Sequence, residues 1–430
     1  MLEVHSPSAL CYTNQFLIVR MERHFLTSPK APFIVRGHVS FEKEIYLCPL
    51  RSILRPIVQC CHQRITSLKG IALIACSTQE AKHTMYRTPD GEEVFVIDCH
   101  THLWDASPAN QRNKWGRGWI DCFYAYTTGL SPAEYVWPLE EYEKYSPDRM
   151  AHDLFVKGYV DIGILQSTYL KEFYFNGFNT IEQNSVMKRA YPDRFILNGR
   201  WDARDGESGL EELRRMKGEW DIKGVKLYTA EWIGNSKGYK LSDPDAYTYM
   251  EECAKLGITN LHVHKGPTVY PLNRDAFDVH DVDDAATHFP ELTFIIEHIG
   301  LPRLEDFCWI ATQESNVLGG LSVAMPFMHP RPRYFAEIMA NLLFWVGPDK
   351  ILFGSDYALW EPKWLIEKFW ALELPDDLKA EYGVDLTKET KRKILGLNAA
   401  RLYGIDPAEH LNKISKDTLA QQAEKMYAVS

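Results

Sequence analysis

The stretch VIDCHTH at residues 96–102 decides how the whole chain is interpreted, because a short apolar run leads directly into two histidines. Alternate residues of a strand point to the same side, so His100 and His102 are expected to face the same way. Two imidazoles in that arrangement form a pair of ligands for a divalent metal ion. An H-x-H pair alone is only moderately specific, and its weight depends on the residues at the ends of the other strands.

Eight short runs rich in β-branched and aromatic residues follow residue 90, and polar amphipathic stretches such as 209–217 and 244–256 alternate with them. Apolar strands that alternate with helices predict a parallel sheet, and eight such units predict a closed (β/α)8 TIM barrel of the α/β class. The predicted strands are 94–98, 160–166, 195–200, 224–228, 259–264, 292–298, 317–324 and 351–356.

The connection between the first two predicted strands, about 60 residues, is longer than loops usually are. We expect it to form either a lid or substrate wall over the barrel mouth, or an oligomer contact or satellite core. It is rich in aromatic residues, namely Trp104, Trp115, Trp119, Phe123, Tyr124, Tyr126, Tyr135, Trp137, Tyr142 and Tyr145.

The composition argues against some classes of partner. The chain is 45% hydrophobic and 25% charged, and 48 basic against 58 acidic residues give a net charge of −10. That balance disfavours a nucleic acid as the main partner, because phosphate neutralisation needs a basic face. No apolar run is long enough to predict a membrane span.

Residues 1–84 differ in composition from the remainder. They hold ten Lys or Arg, five Glu and no Asp, a net charge of +5, which leaves −15 for residues 85–430. We interpret them as an N-terminal extension, either a mis-started or disordered leader before a natural start at Met85, or a true segment for targeting or assembly. The barrel is assigned to residues 85–410 and a C-terminal tail to 411–430. Nine cysteines without regular spacing favour a reducing compartment, and no secretory signal pattern is present.

The fourth and fifth predicted strands carry further basic side chains. The fifth contains a second H-x-H, in which His264 lies nearest the barrel mouth and His262 one layer deeper. His262 either binds a second metal ion or donates a hydrogen bond to a core polar group. Lys226, in the fourth strand, is either carboxylated to bridge two metals, bound to a substrate anion, or held in a structural ion pair.

The sixth predicted strand ends in EHIG at 297–300. If Phe294 and Ile296 fill the barrel, His298 shares their face and points inward. Glu297 is then expected to point toward the helices as a structural carboxylate.

The eighth predicted strand ends at Asp356, whose carboxylate can ligate a metal ion or accept a proton. An isolated Asp after a strand is usually a helix cap, but here it completes a set with the histidines of the first, fifth and sixth strands. Closure of a barrel brings the eighth strand beside the first and gathers all C-terminal strand ends at one rim. Residues more than 250 positions apart in the chain can therefore share one ion.

Residues 94–405 resemble the amidohydrolase-related branch (amidohydrolase family 2) of the metal-dependent hydrolase superfamily. ILGLNAARLY at 394–403 is similar to that family's closing helix. The other matching segments are 96–102, 264–266, 297–300 and 354–357.

That resemblance implies that His100, His102, His264 and Asp356 bind the metal, while His298 either moves protons or binds a second metal ion. Asp356 and His298 are accordingly the expected catalytic residues. The family hydrolyses amides and lactones or decarboxylates without oxidation, through metal-activated water or a metal-polarised substrate oxygen. We expect a cytoplasmic enzyme of this kind, acting on a small aromatic or carboxylate-bearing molecule, with zinc as its cofactor.

A narrower resemblance, carried by the aromatic connection, LYTAEW at 227–232, the His262/His264 pair and ALWEP at 358–362, is to dinuclear iron or manganese oxygenases. One of these is an amine N-hydroxylase built from two related barrel subunits. Two ions would recruit His298, with His262 or a carboxylated Lys226 as further ligands. Histidine and carboxylate suit iron, manganese and zinc alike, so spacing alone does not separate oxygenase from hydrolase.

A third alternative is a weakly catalytic barrel that scaffolds such a partner subunit, although the intact ligand set argues against it. The expected partners are therefore a small-molecule substrate and either further copies of this chain or a related barrel subunit.

Overall fold

A computed structural model of the chain describes residues 86–428. Our interpretations of residues 1–84, as a leader or as a targeting or assembly segment, concern residues outside that range. Among the described residues, no helix is both long enough and apolar enough to cross a lipid bilayer.

Eight parallel strands form the predicted TIM barrel. The third is interrupted at Asn198, so that its first half pairs with the second strand and its second half with the fourth. The barrel closes between the eighth strand and the first, where the amides of Cys99 and His102 donate to the carbonyls of Phe353 (3.1 Å) and Tyr357 (2.8 Å). In chain order the barrel strands are Ile97–Thr101, Ile162–Leu165, Phe195–Leu197 with Gly199–Arg200, Gly224–Leu227, Asn260–His264, Thr293–Glu297, Val317–Gly320 and Ile351–Leu352.

The strand boundaries differ most from prediction at the first strand and at the C-terminal ends. Val94, predicted to open the first strand, instead belongs with Glu93 to a short strand that pairs with Tyr86–Arg87 in an antiparallel hairpin preceding the barrel. The sixth, seventh and eighth strands end earlier than predicted. Beyond their ends, the backbone turns through positive φ angles at His298, Val323 and Asp356, which extended strands do not adopt.

Helices lie outside the barrel, and the last of them ends at Tyr427. The last two pack on the rest of the fold: Leu419 and Ala423 are buried, and Arg194 donates to Asp417 over 2.7 Å. The helices are Lys114–Leu130, Leu139–Glu143, Pro147–Ala151, Ile181–Ala190, Gly206–Trp220, Pro244–Leu256, Val282–His288, Leu304–Gln313, Pro332–Trp345, Pro362–Ala371, Asp376–Tyr382, Lys388–Arg392, Asn398–Tyr403, Pro407–Ile414 and Thr418–Tyr427.

Two apolar clusters divide the strand residues by the face from which they project. The smaller cluster fills the barrel interior and includes Ile97, Ile162 and Ile295. The larger one lies between strands and helices and includes Phe294 and Ile296. Since neighbours along a strand alternate between the two, the clusters fix which polar residues enter the barrel.

The first strand contains a bulge that changes this alternation. Its register with the second strand shifts by one residue between Asp98 and Thr101, since Asp98 lies opposite Gly163 whereas Thr101 lies opposite Leu165. Ile97, before the bulge, projects into the barrel, and so does His100 after it. Bulges are common beside active sites because they re-aim a side chain in this way.

Candidate metal centre

Six buried side chains at the C-terminal end of the barrel form two groups of candidate metal ligands. His100, His102 and Asp356 form the first group, from the first and eighth strands. His264, Glu297 and His298 form the second, from the fifth and sixth strands. Within each group the ligand atoms lie within 4.8 Å of one another. All four ligands expected from the sequence are thus present at the rim, with His264 assigned to the second group.

The imidazoles of the first group direct their Nε2 atoms toward each other. His102 Nδ1 donates to the Gln166 carbonyl at 3.0 Å, which leaves its Nε2 unprotonated. His100 Nδ1 is held by Ser322 Oγ at 3.0 Å, so its Nε2 is also directed inward. The two Nε2 atoms are 3.0 Å apart, and Asp356 Oδ1 lies 3.5 Å from that of His100 and 3.3 Å from that of His102. Two facing imidazole nitrogens beside a carboxylate are the donor set that a divalent cation requires.

The second group repeats this arrangement. His298 Nδ1 donates to the Ser322 carbonyl at 3.0 Å, and His264 Nε2 faces the Pro267 carbonyl at 3.5 Å. The remaining nitrogens, His298 Nε2 and His264 Nδ1, are 3.0 Å apart. Ser322 therefore supports both groups, through its hydroxyl and its carbonyl, and no sequence signal identified it.

Burial sets the protonation of these groups. It lowers the pKa of His100 and His264 well below the usual value and that of His298 to about 4, so these imidazoles are neutral near pH 7 and can act as ligands. Burial alone would raise the pKa of Asp356. Interactions with the adjacent His102 and His298 and with the ammonium of Lys226 outweigh burial and lower that pKa below its usual value.

Strained backbone positions two of these side chains. His298 has φ 61° and Asp356 has φ 60°, in the left-handed region that costs a non-glycine residue about 1–2 kcal/mol. Such strain is concentrated at functional sites, where the surrounding structure holds it in place. The sharp turn after Glu297 directs His298 into the site, although Phe294 and Ile296 project outward.

The prediction that Glu297 points toward the helices was wrong. Glu297 shares the interior face with Ile295, contacts His100 Nδ1 at 3.4 Å and forms an ion pair with Lys226 inside the barrel. Because the sixth strand is apolar on both faces, its sequence did not reveal which face is inside. The Glu297 Oε1 atom is buried and has no hydrogen-bond partner among the described residues, so it is available as a metal ligand.

Lys226 and His262 lie beside the groups and belong to neither. The ammonium of Lys226 is fully buried, paired with Glu297 and 3.4 Å from His100 Nε2, which matches the ion-pair interpretation. His262 Nε2 meets the hydroxyl of Tyr403 at 2.9 Å, and its Nδ1 is 3.9 Å from Glu297. The structure therefore places His262 in the polar core below the site.

Asp98, which sequence reasoning overlooked, fastens the first strand to the eighth. Its carboxylate accepts from the amide and hydroxyl of Ser355 at 2.9 and 2.5 Å and from the amide of His100 at 3.1 Å. Burial raises the pKa of Asp98 to about 7 despite these hydrogen bonds. These contacts hold His100 and Asp356 together across the point of barrel closure.

The long connection after the first strand packs its aromatic rings against the site. Trp104 stacks on Phe178 with centroids 5.3 Å apart, and Tyr145 donates to the carbonyl of His102 at 2.6 Å. Trp119 is fully buried and contacts the ring of Tyr228, which in turn lies against His264. The connection thus has the contacts of a satellite core, and its role as a lid stays a prediction.

Comparisons with known proteins agree with this architecture. The sequence model of the amidohydrolase family matches residues 97–405, whereas a comparison with curated proteins finds no match. An uncharacterized TIM-barrel protein from Bordetella bronchiseptica is 18% identical, over 74% of this chain and 100% of that one, with a TM-score of 0.54. A 2,6-dihydroxybenzoate decarboxylase from Rhizobium is 15% identical, over 73% and 99% of the two chains, with a TM-score of 0.47.

At such identities a solved structure is evidence of the fold alone, and the Bordetella protein supplies that evidence. The family match is evidence of membership as well as of fold, because it covers more than two-thirds of the 430 residues. It includes all eight barrel strands and the six candidate ligands. The chain belongs to the amidohydrolase family.

Proposed function

We propose that this chain is a metal-dependent enzyme that hydrolyses or decarboxylates a small aromatic or carboxylate-bearing molecule. The observation that carries the proposal is the meeting of His100, His102 and Asp356 at the point of barrel closure, with their ligand atoms 3.0 to 3.5 Å apart. A bound divalent ion would polarise a substrate oxygen and lower the pKa of a water molecule. His264 would complete the ligand set from the fifth strand.

Two side chains are suited to move the proton. The Asp356 carboxylate is ionised near neutral pH, since its pKa lies below the usual value, and can accept a proton at the oxygen that does not bind the metal. His298 is neutral there and carries its lone pair on Nε2, because Nδ1 donates to Ser322. Asp356 and His298 are thus two bases in one buried site. Together they can take a proton from one atom of the substrate or of water and deliver it to a different atom of the substrate.

Two variants test these roles. Asp356→Ala is expected to lose metal and turnover together, whereas His298→Asn is expected to keep at least one metal ion and lose turnover. Metal content is measured by plasma mass spectrometry, and turnover with a panel of aryl carboxylates, lactones and amides. Full metal occupancy and normal rates in Asp356→Ala would refute the proposal.

A second candidate function is favoured by the second ligand group. His264, Glu297 and His298 offer three more donors, so two ions can be held side by side, as a dinuclear iron or manganese oxygenase requires. Protein purified without oxygen is expected to hold two iron or manganese ions per chain in that case, and to consume oxygen with a trial amine. One zinc per chain favours the hydrolase or decarboxylase instead.

The scaffold alternative has its own signature. A chain that turns over nothing alone, but restores activity to a related barrel subunit, would favour the scaffold role. Co-purification followed by an assay of each separated subunit distinguishes this outcome from an enzyme acting by itself.

A further inference from the structure

Two buried polar groups beside the metal centre have no hydrogen-bond partner among the described residues. One is the hydroxyl of Tyr228, directly after the fourth barrel strand, and the other is the indole Nε1 of Trp119, within helix Lys114–Leu130. Buried hydroxyl and indole groups normally form hydrogen bonds, because removing them from water without replacement is unfavourable. Unused donors next to a reaction centre therefore indicate where a ligand atom binds.

The two donor-bearing rings belong to a series of ring contacts that begins at His264, a candidate metal ligand. The rings of His264 and Tyr228 have centroids 4.4 Å apart, and Trp119 meets Tyr228 edge-on at 5.8 Å. Phe277 packs against both rings, and its ring centroid lies 5.9 Å from that of Tyr228 and 4.9 Å from that of His264. The long connection and the fourth strand thus each contribute one donor-bearing ring to the packing that begins at His264.

We propose that Tyr228 and Trp119 orient the substrate by donating hydrogen bonds to a carboxylate carried on an aromatic ring. The inference rests on the proposed function, since it puts the substrate beside the metal ligands. An indole N–H is a donor only, so its partner must be an acceptor. A carboxylate accepts from both donors, and hydrogen bonds to a charged acceptor are the stronger ones. The neighbours of Trp119 are themselves aromatic, Phe123 and Phe178 among them, and such surroundings favour a ligand that carries an aromatic ring.

Tyr228→Phe and Trp119→Phe test the proposal, because each removes one donor and keeps an aromatic ring. Benzoate binding to the metal-loaded full chain is measured by titration calorimetry, with the metal content of every variant determined first. We expect the Kd for benzoate to rise about tenfold in each variant, with the metal content unchanged. Tyr239→Phe is the matched control: its hydroxyl is likewise buried and has no hydrogen-bond partner within residues 86–428, but its ring contacts Trp201 and Arg204.

The outcomes separate this inference from the proposed function. Equal benzoate affinity in wild type and Tyr228→Phe overturns the orienting role, and so does loss of metal from that variant, which would make Tyr228 part of the metal centre. A metal-loaded wild type that binds no benzoate overturns the aryl carboxylate while leaving the proposed function intact. A wild type that takes up no metal contradicts the proposed function itself. An unchanged Kd in Tyr239→Phe is required for the expected result to count.

Discussion

At the scale of single residues, the ion pair of Lys226 and Glu297 is the contact of the barrel interior that depends most on both partners being present. Both side chains are almost fully buried, and Glu297 also faces two histidines. Burial lowers the pKa of Lys226 and raises that of Glu297 to about 7, so each charge depends on the other to exist inside the protein. Removing one partner is therefore far more damaging than removing both.

Glu297→Leu is expected to lower the free energy of unfolding by about 3–5 kcal/mol, because it leaves a buried ammonium without its carboxylate. The double variant Lys226→Met/Glu297→Leu should recover most of that loss. Urea denaturation in the presence of a chelator measures both without a contribution from metal. A single variant as stable as the wild type would contradict the burial of a charged pair.

The same residues show what could be predicted from the sequence. His100, His102, His264, His298 and Asp356 were identifiable because histidines and an aspartate after apolar strands are unusual there. Glu297 was assigned to the wrong face, since an apolar strand buried on both sides shows no alternation. Ser322, which acts partly through its backbone carbonyl, has no signature in the sequence.

At the scale of elements, the closing helix sets the position of the first strand. The helical path from Lys388–Arg392 to Asn398–Tyr403 passes Gly396, where a Cβ atom would lie 2.1 Å from the carbonyl oxygen of Phe95. Only glycine allows this close approach of two backbones. Since Phe95 lies just before the first strand, this contact helps to fix the position of the strand that contains His100 and leads to His102.

Gly396→Ala is expected to destabilise the protein by about 1–3 kcal/mol, since the new methyl group meets backbone that has to move. Gly218→Ala is the control, because no atom of the described part of the chain lies within 4 Å of its Cβ position in helix Gly206–Trp220. It should stabilise the protein by about 0.5–1 kcal/mol, the helix-propensity difference between glycine and alanine. Thermal unfolding of both variants compares them, and equal shifts would show that the Phe95 contact is unimportant.

Element boundaries were less predictable than element identity. The eight barrel strands follow from runs of apolar residues, but the sixth, seventh and eighth end earlier than predicted, and positive φ angles follow their ends at His298, Val323 and Asp356. The bulge in the first strand was also hidden, since it depends on register with a neighbour and not on local residue preference.

At the scale of the whole molecule, the candidate centre joins distant parts of the chain. Its six side chains come from the first, fifth, sixth and eighth strands, so an ion bound there links elements that lie more than 250 residues apart in sequence. A ligand that binds the folded state and not the unfolded chain stabilises the fold by mass action. Metal binding and barrel closure should therefore be coupled.

Removal of metal by a chelator is expected to lower the Tm of the wild type, by the equivalent of about 2.7 kcal/mol when free metal had been 100-fold above its Kd. Asp356→Ala, which lacks a ligand, should show little further drop under the same treatment. Scanning calorimetry of both proteins with and without chelator makes the comparison. An equally large drop in the variant would mean that the stabilising ion binds elsewhere.

The most direct measurement is the anomalous X-ray scattering of crystals grown with the bound metal, collected at that metal's absorption edge. We predict a peak within about 2–2.5 Å of ligand atoms of His100, His102 and Asp356. The second group, which includes His264, should lie close enough to contribute a ligand. An ion located away from these side chains, or none in protein grown with metal in excess, would contradict the assignment of this barrel rim as the metal centre.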